Sequence, residues 1–588
     1  MPQITLAASP KTVQRPPQRA SQPGTARQSY DDALRFVLPL LAVLAGLLVL
    51  YVAFAMSWTK FSRAEVFFAE CAREMVAFNN MVTPLYQSKP FFDKPILVYW
   101  LIVAMYKTFG VTHLVARVPS MIAGLATVAL TAIATRKLTS SDKTGLIAAI
   151  CTGSSFMFFS FAYLCMSDMY LVLFDTLTLI LLYMGTLQES KRTLLWLLAA
   201  TSMGFAFVTK GPIGIVLPAI SFVAFLALTK RLHFIKPLHV IAGAIIAGLI
   251  AVPWFFAAYK ANGTWALAYF FIRENFQRYA AATYDTHKPV WFMLVSLLTG
   301  FLPWSIFLPG ALSSFVRKFR GKAGWQPALL SADIQPKLYL WLWVATVTAF
   351  FSFSRGKCDY YVLPVYPAAA ALVAIYLSEA AGKGARILTM TAGTICLVAG
   401  LCSPILLSII AAPKGFESWW MLPLSLTACG AATVVSASSQ RLTRAICCLF
   451  AAVCTGGAGF AWQALPSLSN LQPIDVYAKV MKSTPAYTKV GVHAALGHWM
   501  DELTFQVERD PVQLTDTNTI TQFFAQGPAI ALIPEKDYER ALAESPQLRS
   551  LPLSVLDRRE VCVHPLTPGY VLQRKGNLYD TNLLLVEN

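Results

Sequence analysis

Lys94, Lys210, Arg273, Arg278, Arg355 and Lys357 each stand near the end of an apolar run, in breaks of the sequence that face away from the cytosol. The positive-inside bias does not put cations there. Gathered at one place, Lys and Arg receive a phosphate group through charge-assisted hydrogen bonds, Arg in bidentate fashion. The ligand this pattern points to is an anionic lipid. A single such Lys is equally well explained as a side chain snorkelling to water. Asp168 is the sharpest carboxylate: it sits at the junction of two apolar runs in Leu164-Cys165-Met166-Ser167-Asp168-Met169. An ionised group in that position is costly unless paired or used, so it is expected to face a cavity. Glu65, near the start of an amphipathic stretch, is the second candidate for acid or base chemistry, although a solvated helix face also explains it.

These residues must be positioned by membrane helices. The 588 residues are 56% hydrophobic and 13% charged, against about a quarter charged in soluble domains. Runs of the length needed to cross a hydrocarbon core number thirteen. They are Phe36 to Met56, Leu114 to Ala134, Gly145 to Phe161, Met169 to Leu187, Leu194 to Val208 and Ile213 to Leu228. The others are Val240 to Ala257, Val290 to Leu308, Leu338 to Phe353, Val362 to Leu377, Ile387 to Ala411, Trp419 to Val435 and Ala445 to Leu465. The chain is thus expected to be a polytopic α-helical membrane protein of about thirteen spans.

Alternate breaks hold Arg136 with Lys137, Lys191 with Arg192, Lys230 with Arg231, Arg317 with Lys318 and Arg320, Lys383 with Arg386, and Arg441 with Arg444. This places them, and a basic, disordered tail over residues 1–34, on the cytosolic side of a bacterial inner membrane. The membrane-spanning module then covers 35–465, with an outer loop at 57–113 that carries juxtamembrane helices over Ala64 to Met75 and Ile96 to Phe109. An odd number of spans puts residues 466–588 on the opposite, outer face of the membrane. Strand-like runs at Lys489 to His493, Leu503 to Val507 and Ala529 to Ile533, with a helix at Tyr538 to Glu544, mark that segment as a small α/β domain. The net charge of +18 follows from basic loops beside anionic lipid and requires no nucleic acid.

No P-loop, dinucleotide fingerprint or H-E-x-x-H is present, so neither ATP nor another cofactor is expected. The carboxylates are too scattered for a hard-cation cage, and His493 with His498 reads as ordinary surface rather than metal site. The eleven cysteines, mostly within spans, contain no C-x-x-C pair and predict no disulfide framework.

Taken in order, the Glu65 to Met75 helix, Phe92-Asp93-Lys94-Pro95 with Tyr99-Trp100, Arg117, Ser167-Asp168, Val208-Thr209-Lys210-Gly211, Phe276-Gln277-Arg278-Tyr279 and Arg355-Gly356-Lys357 with Tyr361 resemble the GT-C glycosyltransferases. The bacterial branch similar to protein O-mannosyltransferases and lipid A aminoarabinose transferases matches over nearly the whole chain. The resemblance implies an inverting transfer from a polyprenyl (undecaprenyl) phosphate-linked sugar to lipid A or another envelope acceptor. It implies that Lys94 and Arg278 hold the carrier phosphate, with Lys357 a further contact, and that Asp168 and Tyr361 line the sugar or acceptor side. Arg117 and Lys210 join the substrate-binding set, with Glu65 and Asp168 as the catalytic carboxylates. One departure stands out: where the family reads Asp-Glu, this chain reads Ala64-Glu65. A hydroxyl acceptor needs a general base, whereas a phosphate acceptor is already ionised; the loss leans toward phosphate. Protein O-glycosylation, and a non-enzymatic lipid-binding or transport role, are the alternatives.

Overall fold

A computed structural model describes residues 23–281, 288–320, 329, 331–379, 382–410, 419–564 and 579–588. Most of the tail expected over 1–34 lies outside this set. From Pro23 onward the chain is already helical, in α1 (Pro23–Ser57).

Among the described residues, nine helices are long and apolar enough to cross a membrane, and two bent pairs raise that to eleven. The expected count of thirteen is therefore not reached by length and composition. The difference has a structural cause. The expected spans 145–161 and 290–308 are each broken, the first at 69° between α5 (Asp142–Gly153) and α6 (Phe156–Ala162), the second at 109°. Ile213 to Leu228 is only 16 residues long, and Leu338 to Phe353 lies in a helix, Gln335–Phe353, that is not among the nine.

Beyond α1 the loop forms α2 (Arg63–Ala77), a two-stranded ribbon of β1 (Leu85–Tyr86) and β2 (Lys89–Pro90), and α3 (Leu97–Phe109). α2 begins where Ser62 and Glu65 exchange hydrogen bonds in a capping box, which satisfies two otherwise orphaned donors. α4 (His113–Thr139) returns through the bundle. After α5 and α6, α7 (Asp168–Leu187), α8 (Arg192–Lys210), α9 (Ile213–Leu228) and α10 (Pro237–Asn262) complete the part that bears most of the singled-out residues. Gly211 ends α8 at φ 83°, with the Phe270 ring 2.6 Å from where a Cβ would stand. Only glycine meets both constraints without strain, which accounts for the glycine after Lys210.

The C-terminal segment is a five-stranded sheet in the order β4-β3-β5-β7-β6, with β3 (Lys489–His493), β4 (Val512–Leu514), β5 (Ala529–Pro534), β6 (Ser554–Val561) and β7 (Thr581–Glu587). β3 runs parallel to β4 and β5, while β7 is antiparallel to β5 and β6. Both faces are covered, as the period of two dictates. Ile530, Leu532, Leu583 and Leu585 pack against Tyr477, Trp499 and Leu503, whereas Ala531, Ile533, Leu584 and Val586 pack against Phe523, Phe524 and Tyr538. Leu503 to Val507 is the end of a helix, Gly497–Val507, and not a strand. Trp499, Leu503 and Val507 are all buried on it, at the helical spacing of four. His493 is buried rather than on the surface.

This domain is fastened to the loop. Glu502 accepts from the Phe61 amide at 3.0 Å and meets His113 Nε2 at 2.7 Å. Thr59 donates to Asp475 at 2.9 Å, Lys60 Nζ donates to the carbonyls of Ser469 and Gln472, and Tyr86 donates to Asp501. One side of α2 is thus backed by the C-terminal domain.

Candidate functional site

The other side of α2 forms a wall of a cavity of about 840 Å³. Its charged lining is Arg63, Lys94, Lys210, Arg273 and Arg278 against Asp93, Asp168 and Glu274. Among the described residues, five cations face three carboxylates, a surplus that an anion of charge about two would neutralise. Phe276, Tyr279, Phe350 and Phe351 line an apolar part. Phe276 is 71% exposed, so the cavity opens toward the outside of the bundle.

The charges form a connected chain. Lys94 Nζ donates to Asp93 Oδ2 at 2.8 Å and to the Asp93 carbonyl at 3.0 Å. Asp93 Oδ1 lies 3.7 Å from Arg278 Nη1. Arg278 Nε donates to the Tyr361 hydroxyl at 3.0 Å, and its Nη1 lies 3.5 Å from Glu274. Lys210 Nζ bonds Asp168 Oδ1 at 2.5 Å and sits 5.6 and 5.5 Å from the ring centres of Tyr360 and Tyr361. Glu274 also pairs with Arg273 at 3.8 Å. Burial works to raise the Asp93 carboxyl, but Lys94, a hydrogen bond from Glu274 and Arg278 together bring it down to about 2. The Lys94 ammonium is pushed below its ordinary value by burial, with Arg278 and Lys210 adding to the effect and Asp93 opposing it.

Lys94, Asp168, Lys210, Arg278 and Tyr361 are brought together as the sequence led one to expect. Glu65, Arg117 and Lys357 are not. Glu65 and Arg117 are fully buried away from the cavity and bond each other at 2.9 Å. The remaining Arg117 donors go to the carbonyls of Ala55, Trp58 and Lys60, and Glu65 also accepts from the Ser62 and Cys165 amides. Neither has a group left for substrate; the pair ties α1, α2, α4 and the segment before α7 together. Ser62-Arg63-Ala64-Glu65 carries the capping pattern that gives Glu65 this structural reading. Lys357 Nζ is spent on the carbonyls of Lys288 and Ser354.

Asp93, Glu274 and Tyr360 line the cavity without having been picked out as site residues. Asp93 was in plain view beside Lys94. Glu274 lies in a π-helical stretch, Tyr269–Gln277, a rare geometry found often at functional sites and without a periodic signature in sequence. It also brings Tyr269, Phe270, Arg273 and Phe276 to the same cavity. Ala64 faces the cavity while Glu65 does not, so the absent aspartate is one this cavity lacks.

Residues 93–256 match the family model described as dolichyl-phosphate-mannose-protein mannosyltransferase. The chain is 29% identical over 322 residues to an undecaprenyl phosphate-alpha-4-amino-4-deoxy-L-arabinose arabinosyl transferase of Proteus mirabilis, spanning 54% of this chain and 56% of that one. It is 26% identical over 536 residues to the corresponding transferase of Edwardsiella ictaluri, covering 87% of this chain and 92% of the other. The chain therefore spans about half the length of the first relative and nearly all of the second. Among solved structures, ArnT from Cupriavidus metallidurans bound to undecaprenyl phosphate superimposes with a TM-score of 0.72 at 20% identity, over 94% of this chain and 98% of that one. In sequence and in fold the chain is similar to the GT-C membrane glycosyltransferases. Within that class it resembles the bacterial aminoarabinose transferases.

Proposed function

We propose that the protein transfers a sugar, 4-amino-4-deoxy-arabinose or a related glycose, from undecaprenyl phosphate to a phosphate of lipid A at the periplasmic face, with inversion. The observation that carries the acceptor choice is that, among the described residues, each carboxylate lining the cavity is held in an ion pair: Asp168 by Lys210, Asp93 by Lys94 and Arg278, Glu274 by Arg278 and Arg273. Oxygens already engaged by cations are poorly placed to receive a proton from an acceptor hydroxyl. A hydroxyl acceptor would need one of them to take a proton; an ionised phosphate oxygen attacks the anomeric carbon without help.

In this reading Lys94 and Arg278 hold the carrier phosphate, and the apolar part near Phe276 receives the start of the prenyl chain. As the bond between the anomeric carbon and the phosphate oxygen breaks, negative charge grows on that oxygen. Fixed cations in a partly dry cavity stabilise it there more than they do in the ground state. Asp168, oriented by Lys210, and Tyr361, oriented by Arg278, lie on the sugar side. Glu65 and Arg117 hold the loop helix in place rather than touching substrate, and the N-terminus lies in the cytosol.

The test is mass spectrometry of lipid A and total envelope glycolipids from cells with the gene deleted, restored, and restored as Asp168→Asn. A sugar-sized mass that disappears on deletion and returns only with the intact gene is expected. An unchanged lipid profile together with a lost protein-linked glycan would overturn the phosphate acceptor in favour of a protein hydroxyl.

A further inference from the structure

A second charged cavity, of about 680 Å³, lies at the end of the bundle opposite the C-terminal domain, the end the sequence reads as cytosolic. Among the described residues, Lys143, Lys383, Arg386, Arg441 and Arg444 line it, together with Ser378, and no carboxylate does. They come from segments far apart in the chain: the start of α5, the first turn of helix Lys383–Ile410, and the N-cap and first turn of helix Leu442–Gly459. The nearby acids are already taken, Glu379 by Lys318 and Lys337 at 2.7 and 2.6 Å, and Asp142 by Arg136.

Basic loops at this end are ordinary for a membrane protein, and loose ones would reach into water. Two features depart from that. Arg386 Nε and Ser378 Oγ are sealed from solvent and, among the described residues, have no hydrogen-bond partner. A buried donor left without an acceptor is costly and rare. In addition, helix Leu442–Gly459 starts at the cavity with no side chain capping it, so its first amides and the positive end of its dipole are open to an anion. The five cations around the cavity carry a positive surplus that an acceptor-rich anion would neutralise.

From this we infer that the cavity binds a phosphate group, presented by an anionic phospholipid headgroup of the inner leaflet or by a soluble phosphate. The site is independent of the transfer reaction at the opposite end. Cations near an anionic lipid surface contribute about fivefold each to binding, so removing three changes affinity by roughly a hundredfold.

The experiment uses the full chain in nanodiscs of phosphatidylglycerol mixed with phosphatidylcholine. Native mass spectrometry reads retained phosphatidylglycerol for the wild type, for Arg386→Gln/Arg441→Gln/Arg444→Gln, and for a control that removes three other cations from the same end, Lys137→Gln/Lys191→Gln/Lys230→Gln. Retention by the wild type and the control, with loss of about a hundredfold in the first triple variant, is expected. A parallel titration with inorganic phosphate, read by thermal shift in detergent, separates the two sources. A shift in the wild type but not the first variant, without lipid retention, assigns the site to soluble phosphate. Equal loss in both triple variants reduces the effect to general surface charge and overturns the inference, as does the absence of both lipid retention and phosphate shift in the wild type. Should the first triple variant misfold, Lys143→Gln/Lys383→Gln, both at exposed helix starts, carries the same readout with a loss of roughly twenty-five-fold.

Discussion

Replacing Lys94 by Ala is the most direct test of the phosphate grip. Its side chain is only 12% exposed, so water cannot take over its role. A hydrogen bond from a charged donor contributes about 1.5 to 3 kcal/mol, and losing a donor aimed at charge that develops in the transition state costs about 10² to 10³ in rate. Two neighbours push the outcome to the upper end. Asp93 would lose the partner 2.8 Å away and bind Arg278, now 3.7 Å distant, more closely, drawing a second cation from the ligand. Lys94→Ala is therefore expected to lower kcat/KM about 10³-fold in purified protein in nanodiscs, assayed as sugar transfer from undecaprenyl phosphate to lipid A. Asp93→Asn added to it should recover part of the loss. The pH profile gives a second readout. The active form of Lys94 is the cation, and burial lowers its pKa, so activity is lost as pH rises through that lowered value, below the ordinary lysine range. In Lys94→Arg the basic limb should move to higher pH, since guanidinium stays charged. A Lys94→Ala protein with more than a third of normal activity, or a Lys94→Arg profile with an unmoved basic limb, would refute the reasoning.

Two further outcomes follow from the loop helix. Arg117→Ala leaves Glu65 buried and unpaired, so it should destabilise the folded protein by about 3 to 5 kcal/mol. The check is thermal unfolding in detergent, and a variant that is inactive yet fully stable would return Arg117 to the substrate-binding set. Glu74, buried on α2, is raised by that burial to about 7 even though it accepts from the Ser88 amide. A carboxyl raised in the folded state lends stability below its unfolded pKa and loses it as pH rises through the folded value. The wild type should therefore lose melting temperature between about pH 4.5 and pH 7; Glu74→Gln should flatten this slope, and identical pH profiles for the two proteins would exclude Glu74 as its source.

Helix existence was legible because apolar length is a strong signal. The two bends were not, since a 17-residue apolar run reads the same whether straight or folded back. Strand β6 escaped notice because Asp557, Arg558, Arg559 and Glu560 sit on it; it is the edge of the sheet, where charge blocks further pairing. At the site, Lys94, Asp168, Lys210 and Arg278 were legible from the cost of placing charge beside apolar runs. That cost argument cannot tell a charge aimed into a cavity from one locked in a buried pair. Glu65 with Arg117 satisfies it as well as Asp168 with Lys210 does, and only the tertiary contacts separate them. Lys357 shows the same ambiguity, with its charge turned back on its own loop.

The fastening of the C-terminal domain to the loop has a consequence for how the protein is made. Lys60 bonds a carbonyl 409 positions later, and the Phe61 amide waits for Glu502, 441 positions on. The wall of the cavity thus leaves the ribosome more than 400 residues before the groups that fasten it. For most of synthesis α2 must rest at the membrane surface with its outer side uncovered. The site is complete only when the C-terminal domain has folded against the loop, so a ribosome that stops before that domain leaves a bundle without a finished site.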